Sequence, residues 1–293
     1  MEGRLGQYYL IRPLRAQAAH LNFARSQLYL AQATDDQSLY IIKFLSVTAG
    51  QIEQELFLNE VRVLSELGKL NSSYWLPLLK SGQEVLCLKS SSTRPELVRY
   101  LVLPYIEQGN IRDFLSSQIC TLPQAEQLWL GMLDAVVALH KNGWLHLDLK
   151  PSNFLLNAPS DVYLIDLAFA QPYIKSQVSN VATKAMDAIR GTPRYMSPEQ
   201  FLGQQLTAQT DFYSLGLILY ELLMRKSLYH ANDYQSWAMQ HCQQPVPLLP
   251  ENLASFQMLI DGLLAKNRHN RLNEVTEIRQ LAQQAFQGVH HHL

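Results

Sequence analysis

The sequence predicts an α+β fold in two lobes: a β-rich N-lobe holding one main helix, then a larger and mostly helical C-lobe. Three observations predict it. Short runs rich in Leu, Ile, Val and Tyr, separated by polar turns, fill the first hundred or so residues. From "PYIEQGN" (104–110) onward, apolar residues recur at helical spacing. The longest apolar run, "FYSLGLILYELLM" at 212–224, is too short to span a bilayer and contains Glu221, so it reads as a buried core helix.

The elements follow in order. "YYLIRPL", "SQLYLAQA", "SLYIIKFL", "EVLCL" and "VRYLVLPY" read as five strands. Between the third and fourth lies "QIEQELFLNEVRVLSELGKL", a helix with Leu56, Val61 and Leu64 as its apolar positions and carboxylates on the other face. "LPQAEQLWLGMLDAVVALHKNG" is a second helix, closed by Gly143 as a natural cap. "DVYLIDLA" is a short buried strand, and amphipathic helices continue to about residue 286. The N-lobe is therefore set at 1–104 and the C-lobe at 105–289, with a ligand cleft expected at their join. Residues 290–293 are read as a tail or tag remnant. There are no internal repeats.

With 293 residues, 47% hydrophobic and 17% charged, the chain has ordinary globular composition and can bury a substantial core. A net charge of −1 suggests no bulk attraction to nucleic acid or acidic lipid, so no nucleic-acid partner is expected, and with the longest apolar run too short for a bilayer no membrane span is expected. Cys87, Cys120 and Cys242 are scattered and lack metal-ligand spacing, so they read as reduced thiols. "MEGRLGQYYL" lacks the apolar core of a secretory signal, and a cytoplasmic location is expected.

The stretch that carries chemistry is "HLDLKPSNFLL", residues 146–156. Moving a γ-phosphoryl group is mostly positioning and charge neutralisation. Asp148 can accept the proton of an attacking hydroxyl, and Lys150 can neutralise the transferred group. Asn153, together with Asp166 at the end of "VYLID", offers oxygen ligands for one or two Mg²⁺ ions. Lys43 in "YIIKF" and Glu60 on the following helix can form a cation–carboxylate pair at the phosphates. Each residue alone has a plainer reading as an ordinary surface or solvated side chain; their order and spacing are what point to one site.

In that order the residues resemble the eukaryotic-type, or Hanks-type, serine/threonine protein kinase family, and the match runs through nearly the whole chain. "HLDLKPSN" resembles the catalytic loop H-R-D-x-K-x-x-N, and "DLA" (166–168) occupies the D-F-G place. "GTPRYMSPE" (191–199) is similar to the end of an activation segment, and "DFYSLG" (211–216) to the start of the helix that anchors the catalytic loop. "NRHNRL" supplies Arg271, which the resemblance pairs with Glu199. "GTPRYMSPEQ" looks closest to bacterial members. The resemblance implies a bilobal protein kinase-like fold, with ATP and Mg²⁺ as cofactors and a protein bearing Ser or Thr as substrate. It implies that Thr192 bonds Asp148 and Lys150. It also makes "LVLPYIEQGN" the adenine-gripping hinge, with Leu103 as gatekeeper, Pro104 using only its carbonyl, and Ile106 offering both N–H and C=O. A separate protein is expected to supply regulation.

The pattern breaks in four places. Where the family carries three phosphate-loop glycines stand Leu21, Phe23 and Ser26, with Leu28 for the valine over adenine. Losing two charge-assisted backbone bonds at about 1.5–3 kcal/mol each would weaken nucleotide binding by roughly two to four powers of ten. Asn22, Arg25 or Ser26 could restore part of that. Ile41 replaces a small residue above the purine. Leu147 replaces the arginine that receives an activation-loop phosphate, so Ser176, Ser179 and Thr183 lack that counter-charge. Leu167-Ala168 replaces Phe-Gly. All six polar groups of the chemical centre nevertheless remain. The reading is an active serine/threonine protein kinase. A pseudokinase serving as a nucleotide-binding or scaffolding module is the alternative, and transfer to a small molecule or nucleotidyl transfer is a third.

Overall fold

A computed structural model describes residues 3–14, 24–35, 37–70, 72–89, 95–158, 161–173 and 191–290. The chain divides into two compact units, Met1–Glu107 with Asp166–Ala168, and Gln108–Ile165 with Phe169–Leu293. The short piece 166–168, which the sequence placed in the C-lobe, thus groups with the first unit. Residues 290–293 do not begin as a separate tail, because the last helix runs through His290; 291–293 lie outside the described residues.

The first unit contains β1 (Gly3–Leu5), β2 (Tyr8–Pro13), β3 (Gln27–Ala33), β4 (Leu39–Ser46), helix α1 (Gln51–Leu67), β5 (Lys80–Leu88) and β6 (Glu96–Pro104). The strands close into an antiparallel barrel in the order β1-β2-β3-β4-β6-β5. Closure depends on β1, which pairs with β2 on one side and β5 on the other, so no strand edge is left for a foreign chain to join. Alternation of side chains puts Leu10, Tyr29, Ala31, Ile42, Phe44 and Val102 into one apolar core. Ile41, Lys43 and Leu45 fall on the opposite face of β4.

On α1 the buried residues are Phe57, Glu60, Val63, Leu64 and Leu67. Leu56 and Val61, taken from the sequence as part of the apolar face, are only half-buried. The carboxylates do not all lie on the outer face either, because Glu60 is turned inward toward Lys43.

The second unit holds α2 (Ile111–Ser117), α3 (Leu122–Lys141), α4 (Pro198–Phe201), α5 (Ala208–Met224), α6 (Tyr234–Gln243), α7 (Gln257–Leu263) and α8 (Val275–His290), and is built around α5. Thr121 and Gln124 form a capping box that starts α3, and Gly143, at φ +80°, takes the left-handed turn just past its end. Trp129 of α3 donates its indole N–H to the Leu215 carbonyl of α5 at 3.0 Å. A Cβ on Gly216 would come within 2.8 Å of the Leu263 Cβ, so only glycine lets α5 approach α7 (Gln257–Leu263) this closely. A small hairpin of Phe154–Ala158 and Asp161–Leu164 follows the loop at 146–153. No helix among the described residues is long and apolar enough to cross a membrane.

Candidate active site

Within the first unit, Lys43 bridges two carboxylates. Its Nζ donates to Glu60 Oε2 at 2.6 Å and to Asp166 Oδ1 at 3.0 Å. Burial alone would lower the lysine pKa, but the Asp166 and Glu60 charges outweigh it and hold the pKa above the ordinary lysine range. The ammonium therefore stays charged at any working pH. Asp166 adopts a left-handed backbone, φ 63°. Aspartate tolerates this conformation better than most residues. Asn59 of α1 ties the segment down by donating to the Ala168 carbonyl at 2.9 Å, and Leu167 is buried.

The outer face of the barrel around Lys43 is set by register. Leu28 lies opposite Lys43 across β3–β4, and Ile41 opposite Leu103 across β4–β6. Cross-strand partners share a face, so Leu28, Ile41 and Leu103 form an apolar surface beside the Lys43 amine. Pro104 pairs with Tyr40 and has the other parity. Ser26 immediately precedes β3 and is half-buried. Ile106 lies just past β6 and makes no backbone–backbone hydrogen bond among the described residues. Leu21, Asn22 and Phe23 of the glycine-poor loop lie outside the described residues, as do Ser176, Ser179 and Thr183.

Within the second unit the 146–153 loop hangs from the buried Asp211 of α5. That carboxylate accepts the His146 N–H at 2.9 Å and the Leu147 N–H at 2.8 Å. His140 Nε2 meets it at 2.7 Å. Burial pushes the Asp211 pKa up, yet His140 and His146 more than offset this and keep the pKa below the usual carboxylate value. His146 Nδ1 accepts the Asp148 N–H at 3.2 Å, which makes Nε2 the protonated nitrogen facing the Ile165 carbonyl at 3.0 Å. Leu147 is held at φ 67°, and its carbonyl accepts from Gln200 at 2.9 Å.

These constraints bring Asp148, Lys150 and Asn153 of the loop together with Thr192. Asp148 Oδ1 accepts both the backbone N–H and the hydroxyl of Thr192, each at 2.7 Å. Asp148 Oδ2 accepts from Lys150 at 2.5 Å, and Lys150 also donates to the Thr192 hydroxyl at 2.9 Å. Asn153 donates its amide to the Asp148 carbonyl at 2.8 Å, and a further contact reaches Oδ2 at 3.4 Å. With the amide nitrogen so committed, Asn153 Oδ1 is buried and has no hydrogen-bond partner among the described residues. A buried acceptor without a donor is costly unless something positive meets it. A hard cation supplies that, and an amide oxygen with a carboxylate is the ligand chemistry Mg²⁺ takes. The residues present thus fit the metal expected from the sequence.

The family described as protein kinase domain matches residues 24–287. The chain belongs to the eukaryotic-type, Hanks-type protein kinase family. Among its relatives, the probable serine/threonine-protein kinase PknB of Bifidobacterium longum is 26% identical over 73% of this chain and 31% of its own. Serine/threonine-protein kinase PknB of Mycobacterium tuberculosis is 32% identical over 61% of this chain and 29% of its own. Serine/threonine-protein kinase TIO of Arabidopsis thaliana is 32% identical over 59% and 13%. The chain thus matches about a third or less of the length of these curated relatives.

As a kinase domain it also carries the pair inferred from "SPE" and "NRHNRL". Arg271 grips Glu199 with two parallel bonds of 2.6 and 3.0 Å, both side chains buried. Burial raises the Glu199 pKa, but the guanidinium overrides it and the net shift is downward. Sequence reasoning missed His140, Asn59 and Gln200. Each acts through a partner far away in the chain, and only His140, placed on the last turn of a helix next to the motif loop, offered any signal.

Proposed function

We propose that this kinase domain is an ATP- and Mg²⁺-dependent protein-serine/threonine kinase. The observation that carries the reading is the Asp148 carboxylate, fixed by Thr192, Lys150 and Asn153, with Asn153 Oδ1 left buried and unpartnered among the described residues. In this reading Asp148 orients the hydroxyl of a serine or threonine and takes its proton. Thr192 keeps the carboxylate and Lys150 in register and so favours an acceptor presented beside it. Lys150 neutralises charge developing on the transferred group, and Lys43, held by Glu60, sits on the phosphates nearer the nucleoside. Asn153 and Asp166 would hold Mg²⁺, which when bound neutralises the phosphate oxygens. Leu28, Ile41 and Leu103 pack the purine, whose edge pairs with Ile106. The Ser26 region covers the phosphates in place of glycines. Regulation by a separate protein belongs to this proposal. The module-only alternative rests on the missing loop glycines at Leu21, Phe23 and Ser26 and on Ile41, and it leaves the fixed Asp148 carboxylate without a role.

The test is label transfer with Mg²⁺ to a serine- or threonine-containing acceptor, from γ-labelled and separately from α-labelled ATP. Phosphoserine or phosphothreonine formed only from the γ label, and lost in Asp148→Ala and Asp166→Ala, supports the reading. ATP binding without transfer, or transfer of the α label, overturns it.

A further inference from the structure

We propose that the cavity next to Asp148 receives an acidic stretch of the substrate, so that this kinase prefers acceptors flanked by anionic residues. The proposal rests on the kinase reading above and deepens it. A cavity of about 680 Å³ lies wholly within the second unit. Lys150 and Thr192 line it, and both bond the Asp148 carboxylate, so a peptide whose hydroxyl reaches Asp148 must run through or beside it. Its volume fits several side chains.

The lining is strongly one-signed. Arg112, Lys150, Arg194, Arg225 and Lys226 contribute cations, and Glu221 is the carboxylate among them. Glu221 is already engaged: Arg194 donates to its Oε1, with contacts at 2.9 and 2.7 Å, and the Tyr195 hydroxyl donates to Oε2 at 2.8 Å. An incoming arginine or lysine would find no vacant counter-charge there. By contrast, Arg112, Arg225 and Lys226 form no ion pair among the described residues. Arg225 and Lys226 stand at the end of α5, where exposed carbonyls favour cations and account for part of their placement. That does not account for Arg112 on α2, which comes from another element, faces the same space and, unlike Arg194, has no carboxylate of its own among the described residues. Such convergence of like charge is costly unless an anion relieves it.

The experiment is fluorescence anisotropy with four labelled serine peptides of equal length, flanked by Asp, Gln, Arg or phosphoserine. It uses the full chain and its Arg112→Gln/Arg225→Asn/Lys226→Gln variant. Asparagine is chosen at 225 because the backbone there is left-handed, φ 54°. The Asp-flanked peptide is expected to bind at least about tenfold tighter than the Arg-flanked one, with the gap closing in the triple variant and at high salt. Tighter binding still of the phosphoserine peptide would support the proposal and name phosphate as the better anion. Equal or tighter binding of the Arg-flanked peptide, or an acid preference that survives in a folded triple variant, would overturn it. The readout needs no turnover. Acid-selective binding without label transfer therefore sinks only the kinase reading, and transfer with Arg-flanked peptides preferred sinks only this one.

Discussion

Thr192→Val removes one hydroxyl and little else, which makes it the sharpest probe of the loop geometry. The hydroxyl donates to Asp148 Oδ1 at 2.7 Å and accepts from Lys150 at 2.9 Å. The Thr192 backbone N–H, also at 2.7 Å on Oδ1, stays in the variant, so Asp148 is loosened rather than stripped. Of the two charge-assisted bonds lost, the one to Asp148 orients the reacting carboxylate; at about 1.5–3 kcal/mol for that bond, kcat/KM falls by at least about 10- to 150-fold. The fall should appear in kcat, because the bond positions the carboxylate that meets the acceptor hydroxyl and not the nucleotide. Thr192→Ser keeps the hydroxyl and should stay within about threefold of the parent by the same reasoning. Steady-state transfer to a serine peptide, with kcat and KM resolved, reads both variants. Turnover by Thr192→Val within about threefold of the parent would refute the assignment of this clasp to catalysis.

Lys43→Met leaves Glu60 and Asp166 without their shared cation and should lower kcat/KM by at least about a hundredfold while far-ultraviolet circular dichroism stays native; unchanged turnover would mean another lysine serves the phosphates. Because the Lys43 pKa is raised, its contribution to stability is complete below the unfolded lysine pKa and is lost only at higher pH still, so this pair gives no stability change between pH 6 and 9. His241 behaves oppositely. Burial first, and then Lys266, drive its pKa down to about 3, so between pH 6.5 and 3 the unfolded chain binds a proton the folded one does not. Stability should therefore fall on acidification below pH 6.5 by up to about 1.4 kcal/mol per pH unit, and urea melts of His241→Gln should show a shallower acid slope; equal slopes would contradict the assignment.

Much of this was legible before the structure. The strands announced themselves because one face of each is buried, and period-two alternation follows from that. β5 is the instructive exception: it begins at Lys80, but its first six residues are exposed, so only "EVLCL" carried a pattern. The three-residue β1 was invisible, since its pairing with β2 and β5 is a long-range event with no local signature. The face of α1 was misjudged for a physical reason. A carboxylate was assumed to point to solvent, while Glu60 is buried against the Lys43 ammonium, which shifts the buried stripe to Phe57, Val63 and Leu67. At the site, Asp148, Lys150, Asn153 and Thr192 could be named because motif spacing places them on one loop and its partner segment. The anchoring helix at 211–216 could be named too, but the His140 contact that braces Asp211 could not, because a side chain's reach across 71 positions is decided by packing.

The proposal that Asn153 and Asp166 hold one metal ion is the central one, and a double-mutant cycle tests it most directly. Affinity for ATP in the presence of Mg²⁺ is measured by titration calorimetry for the parent, Asn153→Ala, Asp166→Ala and the double variant. If both side chains hold the same ion, the double variant loses less than the sum of the single losses, with a coupling of at least about 1 kcal/mol. Losses that add to within about 0.5 kcal/mol would mean that the two residues do not share a metal, and would contradict the account.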